Sequence, residues 1–175
     1  MKKKFWNSDK IVAISAIAIS LLTLFIFIKQ TNIIEKQSHL SAMPYLMMEV
    51  SMNEFDSQYR FDLVNYGVGP AIINKVIIIH NKKRIKIDLR DFLSQLPGMD
   101  SITVLSSASM HRGLAIPAGG SRLIYNVGGN PKDYSQFKLM LEALKDNLDY
   151  EIYYQSIYDD HWSVSASNEV PKEIN

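Results

Sequence analysis

The apolar positions of this chain follow two regimes. From Ile11 to Ile28 no residue carries a charge. About 18 residues at a rise of roughly 1.5 Å each cover ~27 Å, close to the hydrocarbon thickness of a bilayer. This run predicts a transmembrane helix. From Pro44 onward apolar and polar residues alternate over short stretches broken by Gly, Pro and Asn, the pattern of half-buried strands joined by turns.

The flanks of the apolar run predict its orientation. Lys2, Lys3, Lys4 and Lys10 precede it, whereas Lys29 and Lys36 follow it and are partly offset by Glu35. That bias puts residues 1–10 in the cytoplasm and the domain that follows outside the cytoplasmic membrane. Trp6 falls where an interfacial aromatic anchor is favoured. A cleaved signal peptide is the competing reading, but the run exceeds an ordinary signal core and leaves through Ile26, Phe27, Ile28, Lys29 and Gln30, with no small pair for cleavage. Residues 11–28 are thus expected to stay as an uncleaved anchor. Residues 29–43 should continue as a helical stalk ending near Pro44. Within the span Ala13, Ala16, Ser20 and Thr23 share one helical face, where small side chains let another helix approach.

Residues 44–166 have the length of one domain, and 167–175 are polar enough to be expected as a flexible tail. Tyr45 to Met52 and Tyr59 to Asn65 predict a strand pair, followed by a sharp connection in which Gly67 and Gly69 are expected at positive φ. Ile72 to His80 predicts a strand, Asn81-Lys82-Lys83 a turn, and Arg84 to Asp88 an edge strand. Leu89, Phe92, Leu93 and Leu96 have helical spacing, closed by Pro97-Gly98. Weaker strands are expected at Ile102 to Leu105 and Leu114 to Ile116, then a firmer one at Ser121 to Val127. Asn130 is an N-cap candidate with Pro131 at the first helical position and Asp133 in the first turn. That helix carries its apolar stripe on Phe137, Met140, Leu141 and Leu144 and should run to about Asp146. Tyr150 to Tyr158 and Trp162 to Ala166 predict a last hairpin around Asp159-Asp160-His161. The sum is an antiparallel, immunoglobulin-like β-sandwich with two accessory helices behind the transmembrane helix; an open α+β sheet is the alternative.

Three local patterns span most of this domain: Leu63-Val64-Asn65-Tyr66-Gly67-Val68-Gly69-Pro70-Ala71, Ile116-Pro117-Ala118-Gly119-Gly120, and Tyr154-Gln155-Ser156-Ile157-Tyr158 followed by Trp162. In these motifs and their order the chain resembles a loose group of uncharacterised bacterial single-pass membrane proteins. The resemblance implies fold and topology and carries no activity.

Composition narrows the function classes. Lys and Arg number 19 against 18 Asp and Glu, which lacks the basic excess of a nucleic-acid binder. No cysteine is present, which removes disulfides, thiolate nucleophiles and Cys-based zinc sites. Asp159, Asp160 and His161 are the tightest cluster of metal-capable side chains, but consecutive strand residues point to opposite faces and acidic turn tips are ordinarily just solvated. His39, His80 and His111 lack a carboxylate neighbour in sequence and read as surface or packing residues. Ser106, Ser107 and Ser109 lie near His111, yet no nucleophile elbow, zinc-binding helix or phosphate loop accompanies them.

Neither a catalytic residue, a metal nor a cofactor is therefore assigned. His80, Lys82, Lys83, Arg84, Lys86 and Arg90 make a basic hairpin, of which Lys82, Lys83, Arg84 and Lys86 are candidates for partner or lipid contact. Asp146, Asp149, Glu151, Asp159 and Asp160 make the C-terminal part acidic. Tyr150, Tyr154 and Tyr158 are expected mainly in the core, and any left exposed would mark a binding surface. The expectation is a non-enzymatic, membrane-anchored binding or scaffold protein. Its partners would be the bilayer and another envelope or membrane protein, with homo-oligomers allowed. An assembly subunit working through its helix is the second reading, and an envelope enzyme the third.

Overall fold

The computed structural model describes residues 8–174, so Trp6 and the lysines at 2–4 lie outside the described residues. The chain divides after Leu40 into two units.

Helix α1 (Ser8–Ser41) is 34 residues long and buries none of them. At roughly 1.5 Å per residue it reaches ~51 Å, longer than a hydrocarbon core of ~30 Å. It is apolar on every side through the predicted span and is long and apolar enough to cross a membrane. Span and stalk are one continuous helix because no Pro or Gly interrupts Ile11 to Ser41. Its hydroxyls turn inward: Ser20 Oγ donates to the Ala16 carbonyl at 2.8 Å and Thr23 Oγ1 to that of Ile19 at 2.8 Å. Such back-bonding satisfies both hydroxyls without a partner.

The second unit contains β1 (Leu46–Asn53), β2 (Gln58–Asn65), β3 (Ala71–His80), β4 (Lys83–Ile85), α2 (Leu89–Ser94), β5 (Val104–Ser107), β6 (Ala115–Ile116), β7 (Ser121–Gly128), α3 (Pro131–Leu144), β8 (Leu148–Gln155), β9 (His161–Ser165) and β10 (Lys172–Ile174). One sheet runs β1-β2-β7-β5 and the other β10-β9-β8-β3-β4, with β6 beside β3. Every pairing is antiparallel. The alternate apolar residues of both sheets, among them Leu63, Val127, Ile73, Ile78, Ile152 and Val164, meet in one core. Two facing sheets bury both apolar faces, so the architecture is a β-sandwich and not the open sheet.

The two helices close this core. Asp88 caps α2 by accepting from the Arg90 N–H at 3.0 Å, and Leu89, Phe92 and Leu93 are its buried side. Asn130 caps α3 by accepting from Asp133 N–H at 2.9 Å. Phe137 of α3 stacks on Tyr125 at 6.0 Å and meets Tyr59 edge-on at 5.4 Å. Asn81 and Lys82 take φ of 51° and 64°, the left-handed pair that a two-residue hairpin needs.

The start of β1 is fixed by Asn65, which is fully buried. Its Oδ1 accepts from Tyr45 N–H and Gly67 N–H, each at 3.0 Å. Its Nδ2 donates to the carbonyls of Gly69, Ile116 and Pro117 at 2.8, 3.0 and 3.2 Å. One amide thus joins the approach to β1, the Asn65–Ala71 connection and the Pro117–Gly120 turn.

Several expectations need correction. Gly67 and Gly69 are not at positive φ; they are required by close approach. A Cβ on Gly67 would lie 2.4 Å from Met43 O, and one on Gly69 only 2.0 Å from Ala42 O. The 167–175 tail is not wholly loose, because Ser165 and Asn168 exchange backbone hydrogen bonds, each of 3.2 Å. This turn brings Lys172–Ile174 back onto β9. The strand expected at Ile102–Leu105 begins at Val104, since Ile102 is buried just after a 3₁₀ turn. The 84–88 edge strand pairs only over Lys83–Ile85, because Asp88 leaves it to cap α2. Strand β8 stops at Gln155, short of Tyr158, where Ser156 N–H donates to Asp160 O at 2.9 Å and closes the hairpin.

Candidate functional site

Burial fades along β1. Its core-facing residues are Leu46, Met48, Val50 and Met52, and while Leu46 is fully buried, Val50 is 46% and Met52 54% exposed. Phe55, at the tip of the β1–β2 hairpin, is 97% exposed. Beside Met48, Val50 and Met52 lies a groove of about 820 Å³. Its floor is Tyr59 and Phe61 of β2, one wall is Leu141 of α3, and the other is Leu148 and Tyr150 of β8.

The local sequence explains this shape. Phe137 of α3 packs on Tyr59 and Phe61, at ring distances of 5.4 and 6.4 Å, while their β1 partners Met52 and Val50 stay about half exposed. The far wall is held by Asp149, whose Oδ1 accepts from Ala166 N–H at 2.9 Å and from Tyr150 N–H at 2.7 Å. Burial pushes the Tyr150 phenol well above its ordinary pKa, so it stays neutral at physiological pH. Around the mouth Lys138 pairs with Glu54 at 3.2 Å; Lys82, Lys145, Glu142, Asp146 and Glu169 also line the groove. This is a lipophilic trough with a charged rim, a geometry suited to binding and without convergent acid–base or metal-ligating groups.

The residues singled out from sequence are dispersed. Ala13, Ala16, Ser20 and Thr23 lie on α1 and are exposed. Of the basic hairpin, Lys82, Lys83 and Lys86 are exposed, but Arg84 is engaged: its guanidinium pairs with Glu151 and reaches the Tyr153 hydroxyl at 3.4 Å. Burial works to raise the Glu151 pKa, yet the hydrogen bonds from Arg84 and Tyr153 outweigh it and hold the carboxyl below its ordinary value. Lys75 Nζ sits 4.1 Å above the Tyr153 ring. Of the four candidate contact residues, Lys82 lines the groove and, among the described residues, Arg84 alone is shown in an ion pair.

Asp159, Asp160 and His161 do not converge. Asp159 accepts from Gln155 at 2.9 Å and lies 3.4 Å from His161 Nε2, Asp160 accepts from Ser156 Oγ at 3.1 Å, and His161 Nδ1 is 3.3 Å from Asn74. No group of three or more metal-capable side chains occurs among the described residues. His39 lies on α1, His80 packs edge-on against Phe92 at 5.4 Å, and His111 is 3.1 Å from the Arg112 carbonyl. Ser106 and Ser107 are held in β5. The tyrosine row splits. Tyr154 is fully buried, stacks on Trp162 at 6.0 Å and accepts from Leu46 N–H at 3.4 Å; Tyr150 walls the groove and Tyr158 is exposed.

Sequence reasoning missed Met48, Val50 and Met52 as site residues. The alternation of these three was visible, but it reads as an ordinary core face, and only the packing shows that the core ends partway along the strand. No protein-family model matches this chain, and no curated protein matches it.

Proposed function

We propose that this protein is a non-enzymatic, membrane-anchored binding or scaffold protein. Helix α1 crosses the cytoplasmic membrane with its N-terminus inside, and the sandwich works outside it on another envelope protein. The lysine bias before the span supports the orientation. The strand orders β1-β2-β7-β5 and β9-β8-β3 support an immunoglobulin-like assignment, since they follow the ABED and GFC sheets of that fold.

The observation that carries the function is the apolar groove beside Met48, Val50 and Met52. Exposed apolar surface gathered around a trough and rimmed by charges marks interaction sites. Assembly through α1 is the weaker reading, because Ser20 and Thr23 already bond within their own helix and only side-chain size is left to attract a partner.

The test is crosslinking in intact cells, with pull-down on a C-terminal tag and mass spectrometry. The double variant Val50→Glu, Met52→Glu should lose a stoichiometric partner that Ala16→Ile, Ser20→Ile retains. The reverse pattern would assign the function to the helix. A reporter fused after Asn175 should be active only outside the cytoplasm; activity only inside would overturn the orientation.

A further inference from the structure

Resting on the reading of the groove as a binding site, we infer that its occupant is an extended segment of a partner polypeptide, added as a new strand along the open edge of β1. The argument begins with the backbone. Among the described residues, strand β1 is the end of its sheet and pairs only with β2. Asn65 N–H donates to Gly120 O and its carbonyl accepts from Gly119 N–H, each at 2.9 Å, so the backbone of Asn65 faces away from β1. Tyr66 N–H, one residue on, does reach Tyr45 O at 2.8 Å.

Antiparallel ladders alternate in this way. The pairs Leu46↔Asn65, Met48↔Leu63, Val50↔Phe61 and Met52↔Tyr59 are therefore the non-hydrogen-bonded ones. Their β1 members turn N–H and C=O to the open edge. Leu46 N–H is taken by the Tyr154 hydroxyl. Beyond it Met48, Val50 and Met52 each present a donor and an acceptor outward while their side chains face the groove.

This coincidence selects the ligand. An acyl chain would fill the trough but leave the backbone groups unused, and a helix has no main-chain groups to offer them. An extended peptide satisfies both, with main-chain bonds for affinity and alternate side chains in the groove for specificity. The β1 sequence, Leu-Met-Met-Glu-Val-Ser-Met-Asn, carries no lysine or proline of the kind that blunts exposed edges. Once Lys138 is paired with Glu54, the rim acids Glu142, Asp146, Asp149 and Glu169 outnumber Lys82 and Lys145. The partner segment should thus be apolar at alternate positions and carry a lysine or arginine.

The test uses the full chain in detergent micelles and three kinds of synthetic probe. The first is an eight-residue peptide of alternating Val and Thr with a terminal Lys, the second its analogue N-methylated at alternate amides in either register, and the third a peptide of the same composition with apolar residues at helical spacing. The alternating peptide should bind and slow amide hydrogen exchange of Met48, Val50 and Met52 at least tenfold. The helical-pattern peptide, and the N-methylated peptide of the register whose methyl groups face β1, should bind at least tenfold more weakly. Val50→Pro removes one outward N–H without touching the β1–β2 ladder and should weaken binding at least tenfold; if that variant does not fold, the N-methylated pair still decides.

Equal binding of methylated and unmethylated peptides, or no protection at the three amides, would overturn strand addition. Preference for the helical-pattern peptide would also overturn it while leaving the groove a binding site. If no peptide binds, strand addition fails, and if Val50→Glu, Met52→Glu also keeps its partner in cells, the groove reading fails with it. Protection of the same amides on raising protein concentration without peptide would make the occupant a second copy and likewise overturn the proposal.

Discussion

Replacing Asn65 by Ala is the sharpest perturbation of the sandwich. The change removes a carbonyl that accepts from Tyr45 and Gly67 and an amide that donates to Gly69, Ile116 and Pro117. Pro117 O keeps a second partner in Gly120 N–H, so the groups orphaned outright are fewer than the bonds lost. At about 1 kcal/mol net per bond, and more for each buried group left unpaired, the loss should be about 3–5 kcal/mol. For a domain of this size that lowers the melting temperature by roughly 10–20 °C.

Asn65→Asp is the sharper control, because it keeps the shape and both acceptor bonds but points a carboxylate at three carbonyl oxygens. At pH 7 it should be at least as damaging as Ala. Its folded-state pKa must lie above the unfolded value, so protonation favours the fold and the deficit should shrink as pH falls through the raised pKa. The assay is thermal and urea unfolding of the full chain in detergent, followed by the fluorescence of the buried Trp162. A loss below about 1 kcal/mol for Ala, which is what one ordinary exposed bond is worth, or an Asp variant as stable as wild type at pH 7, would refute the hub.

Four further outcomes follow from the same structure. Gly69→Ala, whose Cβ would fall 2.0 Å from Ala42 O, should destabilise by about 2 kcal/mol or more in the same unfolding assay, since backbone there cannot yield as a side chain would. Asp133 accepts from Thr103 N–H at 2.9 Å, and hydrogen bonds from Thr103 and then Asn130 hold its pKa below the ordinary carboxylate value. Its contribution is therefore complete above about pH 4 and lost as pH falls further, and urea titrations from pH 7 to 2 should show a shallower acid limb in Asp133→Asn. Arg84→Ala should lower stability only slightly, and less still in high salt, because the Arg84 side chain is half exposed and its ion pair is screened by solvent; circular dichroism melts at two salt concentrations check it. Met52→Glu, at a position 54% exposed, should leave stability within about 0.5 kcal/mol of wild type, so that partner loss in the crosslinking assay reports the surface and not unfolding.

Local order in this chain was readable wherever one short stretch suffices to dictate it. The uncharged run to Ile28 required a helix of membrane length, Asn130-Pro131 began α3 where their cap chemistry requires, and Asn81-Lys82 made a hairpin from two left-handed residues. The errors fell where a neighbour distant in sequence intervenes. Gly67 and Gly69 looked like turn formers with unusual φ, and the reason for them is the backbone of 42–45 lying against them. Arg84 is solvent-facing as its sequence suggests, but its partner Glu151, brought beside it by β3 and β8, was not legible there.

Periodicities and caps spanning a few residues are enough to dictate the apolar helix, the succession of strands and helices, and the inward face of each strand. Which strands stand at the edges, and where the core stops, emerge with the packing of the whole domain. Those properties depend on what packs from elsewhere: Phe137 of α3 packs on Tyr59 and Phe61 while Val50 and Met52 stay open, and among the described residues β1 has β2 on one side with no strand on the other. An alternation of apolar residues is the same whether its face is covered or bare. The difference lies in long-range contacts, and it turns a strand that reads as core into a surface that can receive a partner.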